Sequence, residues 1–526
     1  MNNLIFDPWI PILRASGRQE RIAPWQLTET DDPVMSLAAP RPDFNGALAQ
    51  FLIGLLQTVA PPEDNETWAD WLETPPSPET LRDRFAPFSS AFELNGEGPR
   101  FMQDYGELEG ENKAIDTLLI DAPGAKSLRD NTDHFIKRGT VSALCPACTA
   151  TALFTLQANA PSGGVGHRTS LRGGGPLTTL VTLDPAGSKL EETLWRNFWL
   201  NVLRHGSLVS GNAVAMNSPT AEVFPWLAAT RTSEPKTGRE TTPLDVHPLQ
   251  MYWGMPRRIR IDWENRKEGV CDICSSNDIT LVTHYVTHNY GINYTGPWQH
   301  PLSPHYIESK SGEPLPLHAQ SDGFSYWHWP GWVEGTDKTK PAQVVKDFQT
   351  SEERRLPEEQ LRLWVFGYDM DNMKARCWYE GTTPLIVIPD ETRRIAFAQR
   401  VTQMVDIAEQ AAAAAQKCIK EAWFKRPGDA RGATDFLKED FFQRTEADFY
   451  AQLPVLEAAV ETGEDAGIVN NWQQIIRRAA MRLFEDYAER GDFAFSDPRR
   501  IIKAEANLKQ SLNKLLKPLG QKEKVA

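Results

Sequence analysis

The chain has 526 residues, of which 40% are hydrophobic and 24% charged, and its formal net charge is −14. This is the composition of an ordinary globular protein, long enough for two to four domains. The acidic balance disfavours a nucleic-acid binder that relies on its net charge alone, because phosphate contacts need concentrated Lys and Arg. The charge is unevenly distributed, however: residues 61–121 hold much of the acidic excess, and residues 496–526 are basic.

No membrane or export segment is expected at the start of the chain. Met1–Pro8 has no basic region, apolar stretch or cleavage site of the kind found in signal peptides. The most apolar segment, Gly46–Ala60, is interrupted by Gln50 and Gln57 and is too short to span a bilayer. The sequence therefore predicts a buried helix there, in a soluble cytoplasmic protein.

Residues 1–389 are predicted to form one large domain. They combine many Pro, Gly and Trp with short apolar runs such as Thr178–Leu183 and Pro384–Ile388, which are typical of strands. This pattern predicts a mixed α/β domain with long loops, without specifying its topology.

Residues 390–526 are predicted to form a C-terminal four-helix bundle, which makes the fold class α+β. From Glu391 the chain has no Pro until Pro427, and small apolar residues recur there with a period of 3.5, as in bundle helices. That seam comprises Ala398, Val401, Val405, Ala408, Ala412, Ala415, Ile419 and Ala422. Three further helical segments follow, at about 434–462, 465–490 and 498–516.

Two C-x-x-C pairs predict a structural metal site. The pairs are Cys145–Cys148 and Cys271–Cys274, and two such turns can surround one zinc ion with four sulfur atoms. Disulfides are unexpected in a cytoplasmic protein, and redox motifs of the thioredoxin type occur singly. The two pairs lie far apart in the sequence, so this zinc would join two distant parts of residues 1–389. A zinc ion with four thiolates leaves no open position for catalysis, so its role would be structural.

The segment with the most glycine, from Ala160 to Gly175, matches neither a phosphate-binding loop nor a dinucleotide fingerprint. It predicts a flexible loop, bordered by Arg168 and Arg172, whose main chain can approach another surface closely. A mobile surface loop without a partner is the alternative interpretation.

No catalytic constellation is recognisable. Asp369 and Asp371 lie in the polar segment Gly367–Ala375 without further metal ligands nearby, and a solvated turn is the simpler interpretation. His300 and His305 occur without any known catalytic motif, which favours structural roles. The sequence therefore predicts a protein that is not an enzyme.

Several segments, in this order, resemble the CasA family, the large subunit of the type I-E CRISPR Cascade complex. The resemblance rests on Asp7–Pro11, on Ala143–Phe154 with Asn159–Pro161 and Leu171–Gly174, on the second cysteine pair, on Gly296–Pro304, and on Gly367-Tyr368. It covers essentially the whole chain. The motifs are modest individually and specific in combination.

The resemblance implies a non-catalytic subunit that binds double-stranded target DNA. In such guided complexes the RNA reads the target sequence, and the protein reads a short flanking motif, the PAM. The implied partners are the other Cascade subunits, the CRISPR guide RNA, the target DNA and the type I helicase-nuclease, with no membrane. The implied activities are PAM recognition from the minor groove and initiation of strand separation, leading to the R-loop.

The resemblance also assigns DNA-facing residues by motif. The PAM-recognising glycine loop corresponds to Ser162, Gly163, Gly164 and Val165. Asn289, beside His288, occupies the position of a lysine that the family uses at the PAM. The residue that wedges between base pairs is Lys374 in this interpretation, with Met373 and Asn372 as alternatives because the turn is two residues longer here.

Two further regions have implied partners. A loop that docks on the rest of the complex corresponds to Phe135, Ile136, Lys137 and Arg138. The bundle contacts displaced DNA and the helicase-nuclease in the family, a role that suits the basic residues Arg499, Arg500, Lys503, Lys509, Lys514 and Lys517. A solvated helix face is the alternative for this basic run. For the whole chain, the alternatives are a zinc enzyme with the thiolates or His300 and His305 at an open site, or a zinc-stabilised scaffold unrelated to DNA.

Overall fold

The computed structural model describes residues 1–123, 128–130, 138–208, 216–321, 323–354, 356, 358–371, 374–429, 433–489 and 497–517. They form a mixed α+β fold with a helical C-terminal region, as predicted. The chain divides into two compact units: Met1–Gln320 with Asp337–Leu385, and Ser321–Thr336 with Ile386–Ala526. The second unit thus includes a short segment, Ser321–Thr336, from within the span predicted as the N-terminal domain. None of the helices in the described part of the chain has the length and apolar character needed to cross a membrane.

The α-helices of the described residues are mostly short before residue 390 and long after it. In chain order they are α1 (Pro42–Val59), α2 (Asn65–Glu73), α3 (Pro78–Phe85), α4 (Pro146–Asn159), α5 (Leu194–Trp199), α6 (Trp329–Val333), α7 (Gln343–Thr350), α8 (Glu391–Trp423), α9 (Phe436–Thr462), α10 (Asp465–Phe484) and α11 (Pro498–Leu515).

The strands are short, with the exception of one long hairpin. They are β1 (Ile10–Arg14), β2 (Gln19–Ile22), β3 (Val34–Leu37), β4 (Glu111–Ala114), β5 (Thr178–Leu183), β6 (Glu240–Thr241), β7 (Arg258–Ile261), β8 (Lys267–Val270), β9 (Asn277–Leu281), β10 (His284–His288), β11 (Asn293–Tyr294), β12 (His305–Ile307), β13 (Pro314–Pro316), β14 (Thr339–Lys340), β15 (Leu361–Asp371) and β16 (Lys374–Leu385).

These strands build several small sheets. The three-stranded sheets have the orders β2-β1-β3, β4-β10-β7, β13-β12-β14 and β16-β15-β5, and β8 and β9 form a two-stranded hairpin. In the β16-β15-β5 sheet the hairpin register pairs Leu361 with Leu385 at one end and Asp371 with Lys374 at the other. The predicted strand Thr178–Leu183 is β5, whereas the run Pro384–Ile388 is a strand only as far as Leu385.

The core of the first unit surrounds α1, the helix predicted from the apolar segment. The Phe51 ring on α1 packs edge-to-face against five aromatic rings. Its centroid is 5.1 Å from that of Trp9 and 5.7 Å from that of Phe154. The two glutamines of this helix stay buried because they hydrogen-bond internally. Gln57, for example, donates to the Leu203 carbonyl at 2.9 Å and accepts from its N–H at 2.7 Å. Such pairing removes the cost of burying an amide.

In the second unit, α8 packs against α9, α10 and α11. Its buried face begins at Phe397 and includes all the predicted seam positions from Val401 to Ala422, while Ala398 is only partly buried. The seam spacing therefore predicted the buried face correctly except at its first residue. The segment Ser321–Thr336 completes this core: the Tyr326 ring stacks on Phe449 with centroids 4.3 Å apart, and its hydroxyl lies 2.9 Å from the Thr445 hydroxyl.

We expect Tyr326→Ala to destabilise the second unit by about 3–5 kcal/mol, because it removes a fully buried aromatic ring. Tyr326→Phe keeps the ring, loses one buried hydrogen bond, and should cost about 1 kcal/mol. Urea unfolding followed by tryptophan fluorescence measures both. Ile502→Ala, at a residue 65% exposed on α11, is the control and should change stability by less than about 0.5 kcal/mol. Equal unfolding midpoints for Tyr326→Ala and this control would contradict the assignment of Tyr326 to the core.

Candidate nucleic-acid interface and cysteine cluster

The structure brings the two C-x-x-C pairs together. Cys145 is the residue before α4 and Cys148 lies in its first turn, while Cys271 and Cys274 lie in the turn between β8 and β9. Their four sulfur atoms are all within 4.8 Å of one another. The Sγ atoms of Cys145 and Cys274 are 3.6 Å apart, too far for a disulfide and suited to two ligands of one ion.

The two cysteine turns are held together by main-chain and carboxylate contacts. The Asp272 carboxylate accepts hydrogen bonds from the N–H groups of Ser142 and Ala143, at 2.7 and 2.9 Å. Burial alone would raise the pKa of Asp272, but these hydrogen bonds outweigh it and lower the pKa. Leu144 and Val282 exchange two main-chain hydrogen bonds beside them. These hydrogen bonds between the two segments bring the four sulfur atoms close together.

The thiols polarise one another. Hydrogen bonds from Cys145 and Cys148 lower the pKa of Cys271 to about 6, and they take the pKa of Cys274 well below its usual range. The pKa of Cys148 is raised, first by its hydrogen bond with Cys145. This donor set fits a divalent, thiophilic ion such as Zn²⁺, and it would supply all four ligands of a closed site.

The glycine loop Ser162–Val165 follows directly after α4 and is held at both ends. Before it, the Pro161 carbonyl accepts a hydrogen bond from the Arg257 guanidinium. After it, the Gly166 carbonyl accepts from the Tyr290 N–H at 2.7 Å. Between these anchors the tip is exposed: Val165 is 75% exposed, and a Cβ on Gly164 would meet nothing within 4 Å.

Asn289 lies directly against Gly166, the residue that follows this loop. A Cβ added to Gly166 would be 2.9 Å from the Asn289 Cβ and 2.9 Å from the Tyr290 ring, too close for any side chain there. Gly166 also has a φ of +78°, a conformation that favours glycine. The residue assigned to the PAM by resemblance is therefore a neighbour of the glycine loop in space, although more than 120 positions separate them in the sequence.

A partly buried cation lies beneath the main chain of the loop. The Nη1 atom of Arg257 is 3.3 Å from the position that a Cβ on Gly163 would occupy. Among the described residues no carboxylate forms an ion pair with Arg257, and its Nε has no hydrogen-bond partner. Burial lowers the pKa of Arg257 to about 10, so the group remains positively charged at neutral pH. Sequence reasoning did not find Arg257, because no motif marks it.

The β15–β16 hairpin is attached to the same region. Gly175 donates from its N–H to the Asn159 carbonyl at 3.0 Å, and a Cβ on it would lie 2.7 Å from the Tyr368 carbonyl oxygen. Lys374, the first residue of β16, is exposed opposite Asp371. Met373 and Asn372 lie outside the described residues. The hairpin with Lys374 and the glycine loop are thus both fixed on the segment Asn159–Gly175.

The arginines that border the glycine segment point inward. Arg172 is buried and donates to the hydroxyls of Thr178 and Ser303, each at 3.1 Å. Arg168 donates to the Ser233 hydroxyl at 2.7 Å. The sequence suggested a flexible loop between two arginines, but the segment after the loop tip is anchored in the interior by these side chains.

Asp369, His300 and His305 are buried, so Asp369 does not lie in the solvated turn that the sequence predicted. Asp369 forms a bidentate ion pair with Arg376, whose Nε and Nη2 atoms donate to the two carboxylate oxygens at 2.7 and 2.8 Å. Burial lowers the pKa of His305 to about 4 and takes that of His300 well below its usual range, so both rings are neutral. In the described part of the chain, the four cysteines are the one group of three or more possible ligands close enough to share an ion. The histidines therefore join no metal site there.

Two other predicted regions are placed in part. Phe135, Ile136 and Lys137 of the docking loop lie outside the described residues, whereas Arg138 is exposed and donates to the Leu128 carbonyl at 3.2 Å. On α11, Arg500 donates to the Ala422 carbonyl at 2.8 Å, near the end of α8. The exposed members of the basic run are Arg499, Lys503, Lys509, Lys514 and Lys517.

Comparison with known proteins identifies the family. A family model described as CRISPR-associated protein Cse1 matches residues 3–483. The fold resembles that of Cse1 from Thermobifida fusca, with a TM-score of 0.71, 17% identity, and 97% of this chain and 98% of that chain covered. CasA (Cse1) from Thermus thermophilus gives a TM-score of 0.66 at 19% identity, covering 98% of both chains.

A chain of a CRISPR RNA-guided surveillance complex has the same fold, with a TM-score of 0.65 at 15% identity over 98% of this chain and 99% of that chain. Identities this low show a common fold, whereas the family model spans most of the sequence itself. The Thermus protein carries both names, CasA and Cse1, so the resemblance drawn from the motifs and the family model agree. The chain belongs to the Cse1 (CasA) family of CRISPR-associated proteins.

Proposed function

We propose that this protein is the large subunit of a type I-E Cascade surveillance complex, and that it recognises the PAM of double-stranded target DNA with the glycine loop Ser162–Val165. Cse1 proteins are non-catalytic subunits of this complex. The observation that carries the proposal is an exposed tip with two glycines, anchored at Pro161 and Gly166. It lies above the charge of Arg257, for which the described part of the chain provides no carboxylate ion pair.

The geometry of the loop suits the minor groove. Gly163 and Gly164 have no side chains to fill a groove about 6 Å wide, so main-chain groups can reach the base edges. The minor-groove edges of A·T and T·A pairs present similar acceptors, which would allow several related PAM sequences. The positive charge of Arg257 favours the approach of phosphates without contributing sequence specificity.

Asn289 and Lys374 have complementary roles in this proposal. Asn289, beside the loop, would hydrogen-bond base edges. The lysine that the family has at this position would also add a positive charge. Lys374, exposed at the end of the hairpin, would enter between base pairs beside the PAM and lower the cost of separating the strands, with Met373 or Asn372 as the alternative wedge. The guide RNA would then pair with the opened target strand, and the R-loop would extend.

The remaining regions would bind partners. The loop containing Phe135, Ile136, Lys137 and Arg138 would dock on the other Cascade subunits and the guide RNA. We interpret α8 to α11 as a four-helix bundle whose basic face on α11 contacts displaced DNA and helps recruit the helicase-nuclease. The net charge of −14 would not prevent this contact, because DNA binding depends on the local charge and the basic residues are concentrated on α11.

The cysteine cluster would hold a structural zinc ion. Cys145, Cys148, Cys271 and Cys274 would supply four thiolates, so the ion would have no free position for a substrate. Its contribution would be to stabilise the fold by joining the start of α4 to the β8–β9 turn.

Gly164→Asp in the reconstituted complex should weaken binding to PAM-bearing duplex at least about tenfold, because it adds bulk and negative charge at the groove. Gly163→Asp should act similarly, with its carboxylate placed against Arg257. The control is Gly312→Asp: Gly312 has a φ of +73° against +71° for Gly164, and both have open space around the added Cβ. Backbone strain is therefore matched. A PAM-library binding assay measures the effect, and equal affinities for the Gly164 and Gly312 variants would show that the loop does not meet DNA.

Lys374→Ala should slow R-loop formation more than the initial encounter with DNA, because a wedge acts when the strands begin to separate. Stopped-flow fluorescence from a base analogue beside the PAM separates the two steps. Lys310→Ala, at another exposed lysine, is the control. An unchanged R-loop rate for Lys374→Ala would refute its assignment as the wedge.

Cys145→Ser and Cys271→Ser should each abolish stoichiometric zinc, measured by mass spectrometry of the metal content, and lower the unfolding temperature of the first unit. Loss of a structural metal ligand removes binding energy that contributes to folding. Cys377→Ser, at an exposed cysteine outside the cluster, should leave both quantities unchanged. A wild-type protein that is folded, stable and free of metal would contradict the zinc proposal.

A further inference from the structure

An arginine from a third part of the chain faces the cysteine cluster. Arg21 lies on β2, paired with Pro11 of β1. Its Nη2 atom is 3.0 Å from the Sγ of Cys274 and 3.7 Å from the Sγ of Cys145. The same nitrogen is 3.3 Å from the Ser276 hydroxyl. Among the described residues no carboxylate forms an ion pair with Arg21, so its contacts are with sulfur and one hydroxyl.

The charge of this arginine matches the charge of a metal-loaded cluster. Four thiolates around one divalent cation carry a net charge of about −2, which is costly to bury without compensation. A guanidinium in contact with the sulfur atoms offsets part of that charge. Its N–H groups also hydrogen-bond the thiolates, which makes them weaker bases toward protons and weaker nucleophiles toward alkylating agents.

The cluster also borders a cavity, so access to the thiolates matters. A cavity of about 380 Å³ is lined by Cys148 and Cys274 on one side and by Trp9 and Phe44 on another. Arg21 is part of the same wall. A small chelator that enters this cavity therefore meets the guanidinium beside the sulfur atoms.

We propose that Arg21 is a positioning residue of the zinc site, which compensates the charge of the thiolates, slows loss of the metal and ties the β2-β1-β3 sheet to the cluster. This inference rests on the proposed zinc site. The ion would then join three parts of the chain: the start of α4, the β8–β9 turn and β2. The cysteine spacing in the sequence indicated only the first two.

The test measures zinc release from the purified full-length chain by the chromogenic chelator 4-(2-pyridylazo)resorcinol. We expect Arg21→Gln to release zinc about 10–100-fold faster than wild type, the range typical when a partner of a metal ligand is removed. Arg21→Lys keeps the charge but cannot hydrogen-bond two sulfur atoms in the same way. Its zinc release rate should lie between those of wild type and Arg21→Gln. Arg18→Gln is the control: Arg18 is 59% exposed, lies just before β2, and forms ion pairs with Glu20 and Asp32. Its zinc release rate should stay within twofold of that of wild type.

Two further readouts separate this role from a general effect on folding. Arg21→Gln should lower the unfolding temperature of the zinc-loaded chain more than that of the chain stripped with EDTA, whereas a purely structural arginine would affect both equally. Alkylation of the zinc-loaded chain by iodoacetamide should be faster in Arg21→Gln. If this variant does not fold, Arg21→Lys decides, because zinc release at the wild-type rate from that variant would overturn the proposal.

The failures are distinguishable. Equal release rates from wild type and Arg21→Gln overturn the role of Arg21 and leave the zinc site in place. A wild-type chain that binds no zinc overturns both. Faster release from Arg18→Gln as well as Arg21→Gln would point to a general loosening of the β1–β2 hairpin and would also count against the proposal.

Discussion

The exposed glycine tip depends on two main-chain anchors, the Arg257 hydrogen bond to the Pro161 carbonyl and the Tyr290 hydrogen bond to the Gly166 carbonyl. A glycine segment loses much conformational entropy when it is ordered, so a free loop of this composition would not hold one geometry. The anchors restrict the loop before any partner arrives. The two glycines of the tip can therefore lack side chains and still have a defined position.

Helix α4 connects this loop to the cysteine cluster. It begins right after Cys145 and ends at Asn159, so its 14 residues span about 21 Å at 1.5 Å per residue. The cluster fixes the first turn of the helix, and the loop leaves from its last. The buried helix transmits that fixed position, since twelve of its residues are packed in the core. In the proposed function, a structural metal at one end of the helix would in this way support the loop at its other end.

The sequence predicted those features that local patterns encode. The buried face of α8, the strand Thr178–Leu183 and the apolar helix at Gly46–Ala60 follow from periodicity and composition, and the structure has all three. The order of the small sheets was not predictable, because their strands are short and pair across long stretches of sequence. Arg257 and Arg21 were missed for a related reason. Both guanidinium groups are partly buried, and among the described residues neither forms an ion pair with a carboxylate. Only the three-dimensional structure reveals this arrangement.

The chain passes between its two units three times, because Ser321–Thr336 belongs with the helices that follow Ile386. A fragment that begins at Ile386 would therefore lack Tyr326, whose ring packs among Phe442, Phe449 and Trp472. Separated from Ser321–Thr336, the helical region would leave a gap in its own core and could not be cut from the chain as one continuous piece.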